Sequence, residues 1–132
     1  MSHTADVGLK IWGESLEALF ANAARALTAV MVDRRRLKGT ISRQITVEAP
    51  DLEALLVAWL NHLLYLYDTE AFLGRDFIIT SLTPERLEAR AVGDTYDPTR
   101  HLSKTAVKAA TYHRLAITQV PDGWQATVIL DL

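Results

Sequence analysis

The chain has no cysteine among its 132 residues. Thiolate zinc sites, CxxC redox chemistry, thiol nucleophiles and disulfide scaffolding are excluded together. Charge of one sign is not in excess either: fourteen Lys and Arg stand against sixteen Asp and Glu, for a net charge of -2. The electrostatic footprint of a protein that grips nucleic acid unaided is missing, so contact with RNA or DNA is expected to be local or borrowed. Long apolar runs are missing too. The longest uncharged stretch, residues 54–67, contains Asn61 and His62 and falls short of the ~20 apolar residues a membrane helix needs. Met1 leads straight into Ser2, His3, Thr4 and Ala5; with no basic or apolar leader there, no signal peptide is expected and the expected compartment is the cytoplasm. No repeat, low-complexity tract or Gly/Ser- or Pro-rich linker divides the chain, which makes one domain over residues 1–132 the economical expectation.

What is present is patterned. Leu16, Leu19, Phe20, Ala23, Leu27, Val30 and Met31 recur at helical spacing behind Ser15, a good N-cap. Leu52, Leu55, Leu56, Trp59, Leu60, Leu63, Leu64 and Tyr67 do the same behind Asp51. Elsewhere the period is two. Ala5, Val7, Leu9 and Ile11 alternate with polar residues or glycine, as do Ile41, Ile45 and Val47. Residues 77–82 and 87–92 suggest one hairpin, turning through Thr83, Pro84 and Glu85; residues 105–120 and 124–130 suggest a second, turning through Pro121, Asp122 and Gly123. The expected fold is α+β, in the order β-α-β-α-β-β-β-β. Both helices would cover one face of a mostly antiparallel or mixed sheet and leave the other face free.

Strand parity locates three ionisable groups on that free face. Asp6 lies on the parity opposite Val7 and Leu9, Asp131 opposite Val128 and Leu130, and Lys108 opposite Val107, Ala109 and Leu115. The α-carboxylate of Leu132 follows Asp131. Two Asp side chains and a terminal carboxylate make an all-oxygen set of the kind hard cations such as Ca²⁺ or Mg²⁺ take, with Lys108 as counter-charge or phosphate contact. The competing reading is of separate, solvated surface carboxylates, since only the fold can bring Asp6 to Asp131.

Other constellations are weaker. His3, His62, His101 and His113 form no HxH, HxxxH or HExxH spacing, which argues against a histidine zinc site. His62 reads as an interior or boundary residue of its helix. His113 lacks a nucleophile partner. Arg34, Arg35 and Arg36 read as the solvated end of the first helix. Residues 94–101 read as an exposed loop, structural or suited to docking.

Several strings resemble the archease family: His3-Thr4-Ala5-Asp6-Val7-Gly8; the run 13–24; Asp51 to Leu55 with Trp59, Leu60 and Asn61; Tyr67 to Glu70; Gly93, Tyr96, Asp97 and His101; Val107-Lys108-Ala109 with Thr111-Tyr112-His113; and Val128 to Leu132. The resemblance spans essentially the whole chain. It implies an accessory protein and not an enzyme, one that promotes guanylylation and multiple turnover of an RtcB-type tRNA-splicing RNA ligase, reaching RNA only through that partner. It assigns Asp6, Asp131 and Leu132 to a metal site, with Ca²⁺ the expected ion and Mg²⁺ or Mn²⁺ the alternatives. It also assigns a functional role to Lys108 and to His3, and no catalytic residue. The alternative function is a chaperone-like modulator of RNA-processing enzymes such as a tRNA methyltransferase.

Overall fold

The structure, a computed structural model, describes residues 5–132. Helix α1 (Leu16–Met31) starts where Ser15 accepts the Ala18 N–H at 3.1 Å, and α2 (Leu52–Glu70) where Asp51 accepts the Ala54 N–H at 2.8 Å. Both caps satisfy N–H groups that the first helical turn cannot. Helix α2 stops at Ala71, whose left-handed φ of 55° returns its N–H to the carbonyls of Leu66 and Tyr67. The three arginines do not extend α1. They form a separate 3-10 turn, Arg34–Arg36, capped by Asp33, which accepts the Arg35 N–H.

The strands are β1 (Asp6–Gly13), β2 (Ile41–Glu48), β3 (Phe72–Thr83), β4 (Arg86–Thr95), β5 (Ala109–Val120) and β6 (Gly123–Asp131). The α+β class and element order are as expected, but the strands form two sheets and every pairing is antiparallel. Their orders are β1-β6-β5 and β2-β4-β3. Each C-terminal hairpin takes up one upstream strand, so the two hairpins never join. Helix α1 packs on β1 and β3, and α2 on β5 and β3, which ties both sheets to one hydrophobic cluster. Trp59 lies at its centre, fully buried, donating its Nε1–H to Phe20 O at 2.9 Å and meeting Phe77 edge-on. A buried indole needs such a partner, because an unpaired donor in the core costs ~1–3 kcal/mol. The β5–β6 turn delivers Gly123 with φ 153° against β1, where a Cβ would run into Gly13 O.

Strand β5 departs most from expectation. It begins at Ala109, because the preceding segment caps α1 instead: the N–H groups of Lys104 and Thr105 go to Met31 O and Val30 O. The inward residue at its start is Ala110, not Ala109. Beyond it the alternation breaks. Thr111 and Ala116 face Ile129 and Thr127, so residues 112–115 stand opposite Val128 alone. This bulge holds Arg114 at φ 53° and leaves Tyr112, His113 and Arg114 exposed.

Candidate functional site: a carboxylate pair at a sheet end

The central strand β6 ends at Asp131, which pairs with Asp6 of β1 on one side and Ala109 of β5 on the other. Directly opposite residues of an antiparallel pair project from the same face, with Cβ atoms about 4.5–5.5 Å apart. Both aspartates are exposed. Lys108 reaches this end through its backbone, donating its N–H to Asp131 O at 2.8 Å, while Leu132 donates to Ala5 O at 2.6 Å. Lys108 therefore precedes β5 and does not belong to its alternation. Asp6 and Asp131 thus share one face at one end of this sheet, and the backbones of Lys108 and Leu132 are bonded to that same end. His3 lies outside the described residues.

The start of β5 is fixed by a residue that sequence patterning passed over. Asn61 on α2 brackets Ala110, donating Nδ2–H to its carbonyl at 3.1 Å and accepting its N–H at 2.8 Å. This side chain stands in for a neighbouring strand, and its amide inside an apolar helical stripe was the available signal.

Two carboxylates directly opposite in a ladder repel each other. A cation would relieve that repulsion, and among the described residues the donors here are two carboxylates and main-chain oxygen, a set that suits a hard ion. Among the described residues no three His, Asp or Glu side chains converge as a metal cluster. A cation here would therefore depend on the Asp pair, main-chain oxygen and water.

The segment 94–101 is exposed at Thr95 and at residues 98–100, as expected, but is anchored at both ends by Asp94 and His101, which are buried, each 4% exposed. Asp94 accepts from Lys38 N–H at 3.1 Å and from Arg100 Nη1 at 3.2 Å, and lies 3.1 Å from His101 Nε2. The Asp97 N–H donates to His101 Nδ1 at 2.8 Å. Nδ1 is therefore the unprotonated nitrogen, and Nε2–H donates to Asp94. Burial pushes the Asp94 carboxyl up, but the hydrogen bonds from Arg100, Lys38 and His101 outweigh it and hold the group at about 2. With both ring nitrogens engaged, His101 is a strut and not a free base. His62 is half-buried against Tyr65, and burial lowers its pKa.

The family model for the Archease protein family (MTH1598/TM1083) matches residues 1–132. The chain belongs to the archease family. It is 38% identical to the archease of Methanosarcina barkeri, over all of this chain and 93% of that protein. It is 41% identical to the archease of Thermococcus gammatolerans, over 98% of this chain and 94% of the relative. The solution structure of Methanobacterium thermoautotrophicum protein 1598 is 32% identical and superposes with a TM-score of 0.82, covering 100% of this chain and 96% of that one. The crystal structure of a Thermotoga maritima archease, described as a possible chaperone, shares the fold with a TM-score of 0.69 at 22% identity, covering 100% and 94%. The expected family is the observed one. No helix among the described residues is long and apolar enough to cross a membrane.

Proposed function

We propose that the chain is a cytoplasmic accessory protein that activates an RtcB-type RNA ligase in tRNA splicing and RNA repair, with no catalysis of its own. Family membership over the whole chain supports an accessory role. The observation that carries the finer reading is the opposed pair Asp6 and Asp131, joined by Lys108 and Leu132 at one sheet end.

In this reading Asp6, Asp131 and main-chain oxygen of Leu132 hold a divalent cation, Ca²⁺ by preference for an all-oxygen site, with Mg²⁺ and Mn²⁺ as alternatives. The bound ion would supply positive charge beside phosphate oxygens, where charge develops during nucleotidyl transfer. Lys108 is exposed next to the pair and offers an ammonium for a phosphate or a partner carboxylate. The backbone bonds of Lys108 to Asp131 and of Leu132 to Ala5 keep these groups in register. The reacting RNA ends are held by the ligase, and no step of ligation is assigned to a side chain of this protein.

The test is transfer of labelled GMP from GTP to the ligase histidine, followed with and without the chain. Faster formation of the guanylylated ligase, lost in Asp6→Ala and Asp131→Ala, supports the reading; an unchanged rate contradicts it. The description of the Thermotoga protein favours a second reading, a chaperone-like modulator of RNA-processing enzymes. That reading requires stoichiometric amounts and alters partner solubility without accelerating guanylylation.

A further inference from the structure

We propose that the groove at the C-terminal end of α1 is a binding site for the phosphate backbone of RNA, separate from the carboxylate pair. The proposal gives the chain a contact of its own with RNA, and only the choice of RNA over DNA rests on the ligase reading. The groove measures about 490 Å³, within the range of ligand sites. Arg34, Arg35 and Lys104 line it, with Asp33 as its one carboxylate. Its walls therefore carry a formal charge of about +2 in a chain whose total is -2. The helix end it abuts accounts for little of this, since an α-helix C-terminus is equivalent to only about half a negative charge.

The donors are partly spent and partly open. Arg35 gives Nε and Nη2 to Asp33, which fixes the guanidinium while its side chain stays 89% exposed. Lys104 gives one bond to Ala29 O at 2.9 Å, leaving two of the three protons an ammonium carries. Arg34 donates Nη2–H to Arg75 O at 2.7 Å, and its Nε is buried without a partner among the described residues. Arg36, also exposed, lies 4.0 Å from Asp33. The N–H groups left over on Arg35, held in place by Asp33, and the two open ammonium protons of Lys104 are donors of the kind that hold phosphate oxygens.

The groove has one exposed apolar residue, Leu102. A helical peptide partner would need anchors at i, i+3, i+4 and i+7, so an evenly charged, flexible polyanion fits better. Contacts confined to phosphate oxygens carry no sequence information, so binding is expected to be sequence-tolerant.

The experiment is fluorescence anisotropy of a labelled oligouridine with the full chain, without ligase and over a series of monovalent salt. Two or three phosphate contacts predict that log K falls against log salt with a slope of about -1.4 to -2. The double variant R35Q/K104Q should make the slope shallower by about 1.4, two cations at about 0.7 each. Asp33→Asn should tighten binding, because its oxygen can still cap the turn while the groove loses its negative charge; a merely structural role for Asp33 predicts the reverse. Circular dichroism confirms that each variant is folded. A slope of zero, a slope unmoved by R35Q/K104Q, equal binding of a polyglutamate peptide, or displacement by free GTP as effective as by RNA at equal ionic strength overturns the proposal. Because ligase is absent, this result is independent of whether guanylylation is stimulated.

Discussion

Asp6 and Asp131 occupy directly opposite positions in the β1–β6 ladder, so two exposed carboxylates share one face at the end of the sheet. Like charges in such a pair destabilise a sheet by up to about 1 kcal/mol. The chain keeps them where Lys108 N–H holds Asp131 O and where Leu132 pairs back to Ala5.

Asp131→Asn should therefore raise the melting temperature slightly in a chelator, because it removes the repulsion. The same substitution should abolish the stabilisation that Ca²⁺ gives the unsubstituted chain, which at a hundredfold excess over Kd amounts to about 2.7 kcal/mol. Calorimetry with chelator and with Ca²⁺ checks both signs. A variant that loses stability in chelator and still responds to Ca²⁺ would place the ion elsewhere.

Asn61→Ala removes both bonds to Ala110 and leaves a backbone N–H and C=O of β5 unpaired. A loss of about 2 kcal/mol in urea unfolding is expected. Hydrogen exchange should quicken at Lys108 and Ala110 more than in β2 or β4, since the start of β5 is the part left unsupported. Uniform acceleration across both sheets would contradict a local positioning role.

Acid should release the Asp94 network in a defined window. The carboxyl is held at about 2 in the folded chain against an ordinary value of 3.8, so its contribution is fully present above pH 4 and is lost as pH falls towards 2. For this buried group the loss is about 2 kcal/mol. Asp94→Asn should be less stable at neutral pH, yet its stability should fall less steeply between those limits. Nitrogen chemical shifts of His101 should show the Nε2–H tautomer; an Nδ1–H signal would contradict the network.

The helices were legible because apolar residues recur at helical spacing and because Ser15 and Asp51 announce their starts. Strand parity put Asp6 and Asp131 on the outer face correctly, but their opposition is a matter of register, and register needs the fold. Strand β5 was misread for a physical reason: the residues from Val107 to Ile117 alternate on paper, while Arg114 enters the left-handed region with nothing in its composition to mark the bulge. Asp94 and His101 look solvated to any hydropathy pattern, since polar groups that satisfy one another inside a protein carry no apolar signal. Division into two sheets was equally invisible, because alternation reports faces and not partners.

Ala71 closes α2 at a left-handed φ of 55°, a conformation that costs a residue with a Cβ about 1–2 kcal/mol. Glycine avoids that strain but gains freedom in the unfolded chain, so Ala71→Gly should stabilise by a net ~0.5–1 kcal/mol. Thermal unfolding measures it. A lower melting temperature would show that the Ala71 methyl packs more favourably than its backbone is strained.

The central claim is activation, and the direct measurement is multiple-turnover RNA ligation by an RtcB-type ligase with GTP and Mn²⁺, with the chain supplied below the ligase concentration. Product should continue to accumulate well beyond one equivalent of ligase, and Asp6→Ala or Asp131→Ala should remove this gain. Ligation that proceeds identically with and without the chain, using a ligase verified to be active, would contradict it.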